Sequence, residues 1–138
     1  SEGVVQQIGT PEEIYGDPQN RFVANFVGKS NFVDGIASAD GFRTTGGTSI
    51  PCSIPEAVRG ACVLSFRPES VTISDRPDAV RGEIVDSFYR GTGYQYIVRL
   101  DEGCTIAVEH AEKLHIGSAV SLVLDRTIFF DAKTGVRL

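Results

Sequence analysis

The chain has 138 residues, 41% of them hydrophobic and 22% charged, with a formal net charge of −5 at pH 7. That size accommodates one domain with an appendage, and the balance of residue types is that of an ordinary soluble protein. The acidic charge argues against nucleic acid as the main partner, because phosphate binding needs a basic face, and no apolar run approaches the ~20 residues of a membrane-spanning helix, so direct membrane insertion is not expected.

In chain order, Gly3 precedes a short apolar run, Val4 to Ile8, that reads as a strand. A strand at this point has no earlier partner within the chain. Thr10, Pro11 and Glu13 then form a capping box with proline at the first helical position. Asp17 and Pro18 repeat the start signal. Phe22, Val23, Phe26 and Val27 follow as an i, i+1, i+4, i+5 apolar stripe, with Gly28 as a natural helix stop. Two short helices are expected here, and their stripe needs a surface to dock on. The opening Ser1-Glu2-Gly3 carries no signal-peptide pattern.

From Asn31 onward the pattern becomes β-rich with glycine and proline punctuation. Strands are expected at residues 32–38, 42–45, 61–67, 71–74, 80–89, 94–100, 105–109, 119–124 and 127–130. Several alternate as half-buried strands do: Cys62, Leu64 and Phe66; Tyr94, Tyr96, Val98 and Leu100; Val120, Leu122 and Leu124. Asp101-Glu102-Gly103 is a hairpin turn signal. Short strands at this spacing suggest a mainly β barrel or sandwich. An internal repeat is one reading: Val33-Asp34-Gly35-Ile36 lies against Val80-Arg81-Gly82-Glu83-Ile84, and Gly60-Ala61-Cys62-Val63 against Gly117-Ser118-Ala119-Val120. The half-repeats would be residues 31–74 and 78–131, packed as one barrel with swapped or shared strands.

Few segments carry chemistry. Residues 41–48 have the glycine spacing of a phosphate loop, but Gly47 stands where the lysine belongs and no helix follows, so a β-turn is expected. Gly91 and Gly93 open a strand rather than a helix, which removes a dinucleotide fingerprint. The same connection, Phe88-Tyr89-Arg90-Gly91-Thr92-Gly93-Tyr94, gathers an arginine and three aromatics. It reads as a bulged hairpin or as a contact loop, since Arg and Tyr favour interfaces. Tyr89, Arg90 and Tyr94 are therefore candidate interface residues. Arg67-Pro68-Glu69 ends an apolar strand and adds Arg67 and Glu69 to that set. His110 and His115 stand i, i+5 and do not share a helical face, so no metal site is expected from them. Cys52, Cys62 and Cys104 are odd in number and widely spaced, which suits reduced, buried thiols better than disulfides or zinc.

Several of these residues carry a family resemblance. Gln7-Ile8-Gly9-Thr10-Pro11-Glu12-Glu13-Ile14-Tyr15, then Phe22-Val23-Ala24-Asn25-Phe26-Val27-Gly28, resembles the segment that closes the nucleotide-binding domain of importer-type ABC transporter ATPases. In that family a transport-associated OB (TOBE) domain follows. Phe66-Arg67-Pro68-Glu69-Ser70-Val71 is similar to its Arg-Pro-Glu motif, and Phe129-Phe130-Asp131-Ala132-Lys133-Thr134-Gly135 to its last strand and turn. The resemblance implies an OB-type (TOBE) β-barrel at 29–138, and at 1–28 the tail and short helices of a nucleotide-binding domain. It implies a regulatory, dimer-stabilising module of an ATP-binding subunit, closest to the spermidine/putrescine or iron(III) branch. That subunit works as a homodimer with membrane subunits at the cytoplasmic face of the membrane. ATP and magnesium belong to the parent chain by resemblance, and no cofactor or ATPase motif is carried onto this fragment. The alternative expectation is a small oxyanion-binding OB module, with Thr44, Thr45, Thr48 and Ser49 as donors.

Overall fold

A computed structural model describes residues 30–77 and 79–138. The expected helices and the stripe Phe22, Val23, Phe26 and Val27 lie outside the described residues. What is described is mainly β, as expected, with ten strands: β1 (Asn31–Ser38), β2 (Gly41–Thr44), β3 (Ser49–Ile50), β4 (Gly60–Phe66), β5 (Val71–Ile73), β6 (Val80–Tyr89), β7 (Tyr94–Asp101), β8 (Cys104–His110), β9 (Ala119–Leu124) and β10 (Ile128–Asp131). Every expected strand from residue 32 onward is present within one or two residues at each end. The two-residue β3 was not expected. It is too short to carry a period, and it exists because Phe42 pairs with Ile50 across the turn.

The strands form two five-stranded antiparallel sheets, ordered β10-β4-β1-β2-β3 and β5-β9-β6-β7-β8. Each sheet takes its edge strand from the other half of the chain. β5 leaves the first half to pair with β9, and β10 leaves the second half to pair with β4. The second sheet curls so that its edge strands β5 and β8 approach one another, as in an OB-type half-barrel.

The main core lies between the sheets. Val33, Phe42, Ile50, Cys62, Leu64, Phe66 and Phe129 from the first meet Ile84, Tyr96, Val98, Ile106, Val108 and Leu122 from the second. Burial of these side chains is the dominant stabilising term. Polar groups within it are partnered. The Asn31 side chain donates from Nδ2 to the Ala107 carbonyl at 2.9 Å and accepts the Ala107 N–H at 2.7 Å, closing the β8 edge as a ladder residue would. Tyr96 Oη donates to the Glu112 carbonyl and accepts the Leu114 N–H, each at 2.7 Å, which ties the β8–β9 connection to β7.

Two local expectations change. Pro68 does not merely end the apolar strand: it is buried and opens a 3-10 turn, Pro68–Ser70, packed beside β8. In β4 burial is not confined to Cys62, Leu64 and Phe66, since Val63 and Ser65 on the opposite face are buried too.

Candidate functional site: the hairpin cleft

β6 pairs with β9 only over Val80 to Glu83, and beyond that it runs on with β7 alone. A bulge between Ile84 and Asp86 marks the change and lets the strand bend away from the sheet. The outer end of β6 therefore lies at the surface, with Phe88 50% and Tyr89 68% exposed, while β7 stays paired with β8. Its four-residue loop is closed by the Arg90 N–H donating to the Gly93 carbonyl at 2.8 Å, and Gly91 sits at φ +88°, a value that suits glycine. Tyr89 Oη donates to the Gly91 carbonyl at 2.9 Å, and the Arg90 guanidinium bonds Gln95 Oε1.

The aromatics form a ladder along β7. Tyr89 lies 5.2 Å from Tyr94, centroid to centroid, and Tyr94 stacks on Tyr96 at 5.8 Å. The ladder runs from the exposed tip to the buried core, so the tip is braced from within.

Beside it lies a cleft of about 400 Å³ lined by Glu69, Arg90, Thr92, Tyr94, Glu109 and His110. Of the expected interface residues, the structure brings Glu69, Arg90 and Tyr94 to this one cleft. Arg67 pairs with Glu69 at 2.7 Å on the surface, and Tyr89 stands on the hairpin above, against Tyr94. The Arg-Pro-Glu motif and the β6–β7 loop thus meet, although some twenty residues separate them. Glu109 and His110 were not anticipated. Register places Tyr94 opposite His110 and Gln95 opposite Glu109. Counting back from the Asp101 turn would have missed this by one, because a second irregularity falls between Arg99 and Asp101.

The threonine-rich turn differs from its oxyanion reading. It is the expected β-turn, and it already holds a carboxylate. Thr44 and Thr48 donate their hydroxyls to Asp101 Oδ2 at 2.8 and 2.5 Å, and the Gly103 N–H donates to Oδ1 at 3.0 Å. Thr45 Oγ1 donates to the Asp34 carbonyl at 3.2 Å. These donors hold the Asp101 carboxyl below the usual carboxylate range, Thr48 first among them. A space of about 460 Å³ beside the turn includes Asp34 in its lining, which disfavours an anion further.

The cysteines are free thiols. Burial pushes Cys52 and Cys104 up to about 11, with help from Cys62 and the Asp101 charge respectively. They are poor nucleophiles at neutral pH. Among the described residues no helix is long and apolar enough to cross a membrane.

The TOBE domain profile matches residues 64–128, from the middle of β4 to the start of β10. That span contains the Arg-Pro-Glu turn, the hairpin and the whole cleft. The chain carries a TOBE domain. It is 38% identical to the spermidine/putrescine import ATP-binding protein PotA of Pseudomonas fluorescens, over 91% of this chain and 38% of that protein. It is 33% identical to the protein of the same name from Acetivibrio thermocellus, over 89% of this chain and 35% of that protein. The chain thus spans little more than a third of the length of these relatives. The similarity to them reaches well beyond the TOBE match, which leaves β1, β2 and β3 outside it.

Proposed function

We propose that the chain is the C-terminal regulatory and dimer-stabilising module of the ATP-binding subunit of a polyamine importer. Both relatives are named for spermidine and putrescine import, which favours polyamine over iron(III) as the transported solute. ATP hydrolysis would belong to the part of those longer proteins that this chain does not span, and contact with membrane subunits at the cytoplasmic face would be made through that part.

One observation carries the dimer role. The β6–β7 tip exposes Phe88 and Tyr89 beside a cleft whose lining includes Arg90, Glu69 and Glu109. An isologous contact needs a patch that complements itself. Aromatic anchors next to both signs of charge meet that need, and the rim charges would fix orientation more than affinity. The oxyanion alternative is weakened, because the threonine hydroxyls it needs are spent on Asp101 and Asp34.

The test is competition. The chain is overproduced in cells that depend on a polyamine importer whose ATP-binding subunit contains this sequence, and labelled spermidine uptake is measured. Free copies occupying the dimer contact should lower uptake severalfold, and a Tyr89→Ala, Arg90→Ala double variant should not. Unchanged uptake, or equal inhibition by both forms, contradicts the proposal.

A further inference from the structure

The outer part of β6 has an open edge. On the β9 side its last backbone bonds are made by Ile84, whose N–H donates to the Ser118 carbonyl at 3.0 Å and whose carbonyl accepts the Gly117 N–H at 2.7 Å. From Asp86 to Tyr89 the strand keeps β7 on one side, and among the described residues no strand pairs with the other.

The pleat decides which groups face that edge. The Arg90 N–H points inward, to the Gly93 carbonyl. Alternation then turns the backbone of Phe88 inward as well, and turns the N–H and C=O of Ser87 and Tyr89 outward. Ser87 agrees with this, since its N–H donates to Asp86 Oδ1 at 2.8 Å and not to β7. An unpaired edge is a template for a further strand. Here the guard over Ser87 is one exposed carboxylate, and Phe88 and Tyr89 beside it are exposed too.

The side chains say what would pair there. Asp86, Phe88 and Arg90 alternate along one face of the hairpin: Phe88 stands opposite Gln95, and the Arg90 guanidinium bonds that same Gln95. Negative, aromatic, positive is an order that complements itself when the strand is reversed. We propose that a second copy of this chain adds to the open edge, β6 against β6 and antiparallel, about a two-fold axis at Phe88. The inference rests on the reading of the tip as a contact between copies, and it names the bonds that make the contact.

In this register Phe88 faces the partner's Phe88, and Asp86 faces the partner's Arg90 on both sides of the axis. Ser87 exchanges both backbone bonds with the partner's Tyr89. The Ser87 N–H thereby leaves Asp86, whose carboxylate is released to the incoming guanidinium. Sliding by one residue would set outward backbone groups against inward ones. Sliding by two would restore those bonds but set Phe88 against a charge, so the side chains fix the register. A peptide of other sequence would find the same backbone edge without the matching order of charges.

Sedimentation equilibrium of the whole chain with exchanged charges tests this. Asp86→Arg and Arg90→Asp each place like charges opposite one another, and each should weaken self-association at least about tenfold. An equimolar mixture of the two variants should recover it, because Arg at 86 then meets Asp at 90 and the native Arg90 meets the native Asp86. That recovery also shows that neither variant has merely misfolded. In the unmodified chain, exchange of the Ser87 and Tyr89 amides, followed by NMR, should slow as the dimer forms. Single variants that associate as the parent does, a mixture that stays monomeric, or Ser87 and Tyr89 amides indifferent to concentration would overturn the edge pairing. If Tyr89→Ala still dissociates the pair in that case, the tip remains a contact and this inference alone fails. A parent that is monomeric at every concentration overturns both.

Discussion

Asp101 sits at a two-residue turn, yet it joins the two sheets. Its carboxylate accepts the Thr44 and Thr48 hydroxyls from the β2–β3 turn while the Gly103 N–H closes its own hairpin. Gly46 is glycine for the same reason, since a Cβ there would overlap the carboxylate. The donors favour the ionised form, so the folded chain holds this group below its unfolded value. The stabilisation is therefore complete at neutral pH and is lost as pH falls below about 4. Asp101→Asn should cost roughly 1 kcal/mol at pH 7, a charge-assisted pair discounted for its exposure. It should also flatten the acid limb of the stability profile in urea titrations between about pH 5 and 3. Some slope should persist, because Asp131 is also held low, by the Thr134 and Lys133 N–H groups. An acid limb as steep in the variant as in the parent would show that Asp101 is not a main source. None of this network was legible in the sequence. Asp101-Glu102-Gly103 announced a turn, and Thr44 to Thr48 announced another, but which turn meets which is a matter of sheet packing.

At the scale of elements, alternation exposed nearly every strand, because one-sided burial in the second sheet keeps a period of two along β7 and β9. It found β4 but misjudged its burial, since Val63 and Ser65 on the opposite face are buried as well. The Arg-Pro-Glu stretch gave a stop but not the buried 3-10 turn, since a proline after a strand allows either. Gly35 in β1 and Gly82 in β6 show what the glycine matches between halves encode. Each pairs with the fourth strand of its own half, Gly35 with Cys62 and Gly82 with Val120. Each lies under a large neighbour: a Cβ on Gly35 would approach Phe42 Cζ to 2.5 Å, and one on Gly82 would approach Val98 Cγ1 to 2.5 Å. Gly35→Ala should destabilise by roughly 1 to 3 kcal/mol through overpacking, measured as a lower urea midpoint at unchanged slope. A variant as stable as the parent would mean that both the Phe42 ring and the Arg43 carbonyl, which lies closer still to that Cβ, give way freely.

For the molecule as a whole, exchange of β5 and β10 makes each sheet incomplete without the other half. The two sheets should therefore unfold as one unit. The family resemblance was legible early, in motifs that lie in order along the chain. The cleft was half legible: loop chemistry named Arg90 and Tyr94, while Glu109 and His110 arrive only through a register shifted by an irregularity no composition signals. The central claim is that the exposed tip is a contact between copies. Sedimentation equilibrium over a concentration series tests it most directly. We expect a reversible monomer–dimer equilibrium that Tyr89→Ala shifts toward monomer without altering thermal stability. A monomer at every concentration, or a dimer indifferent to Tyr89, would contradict it.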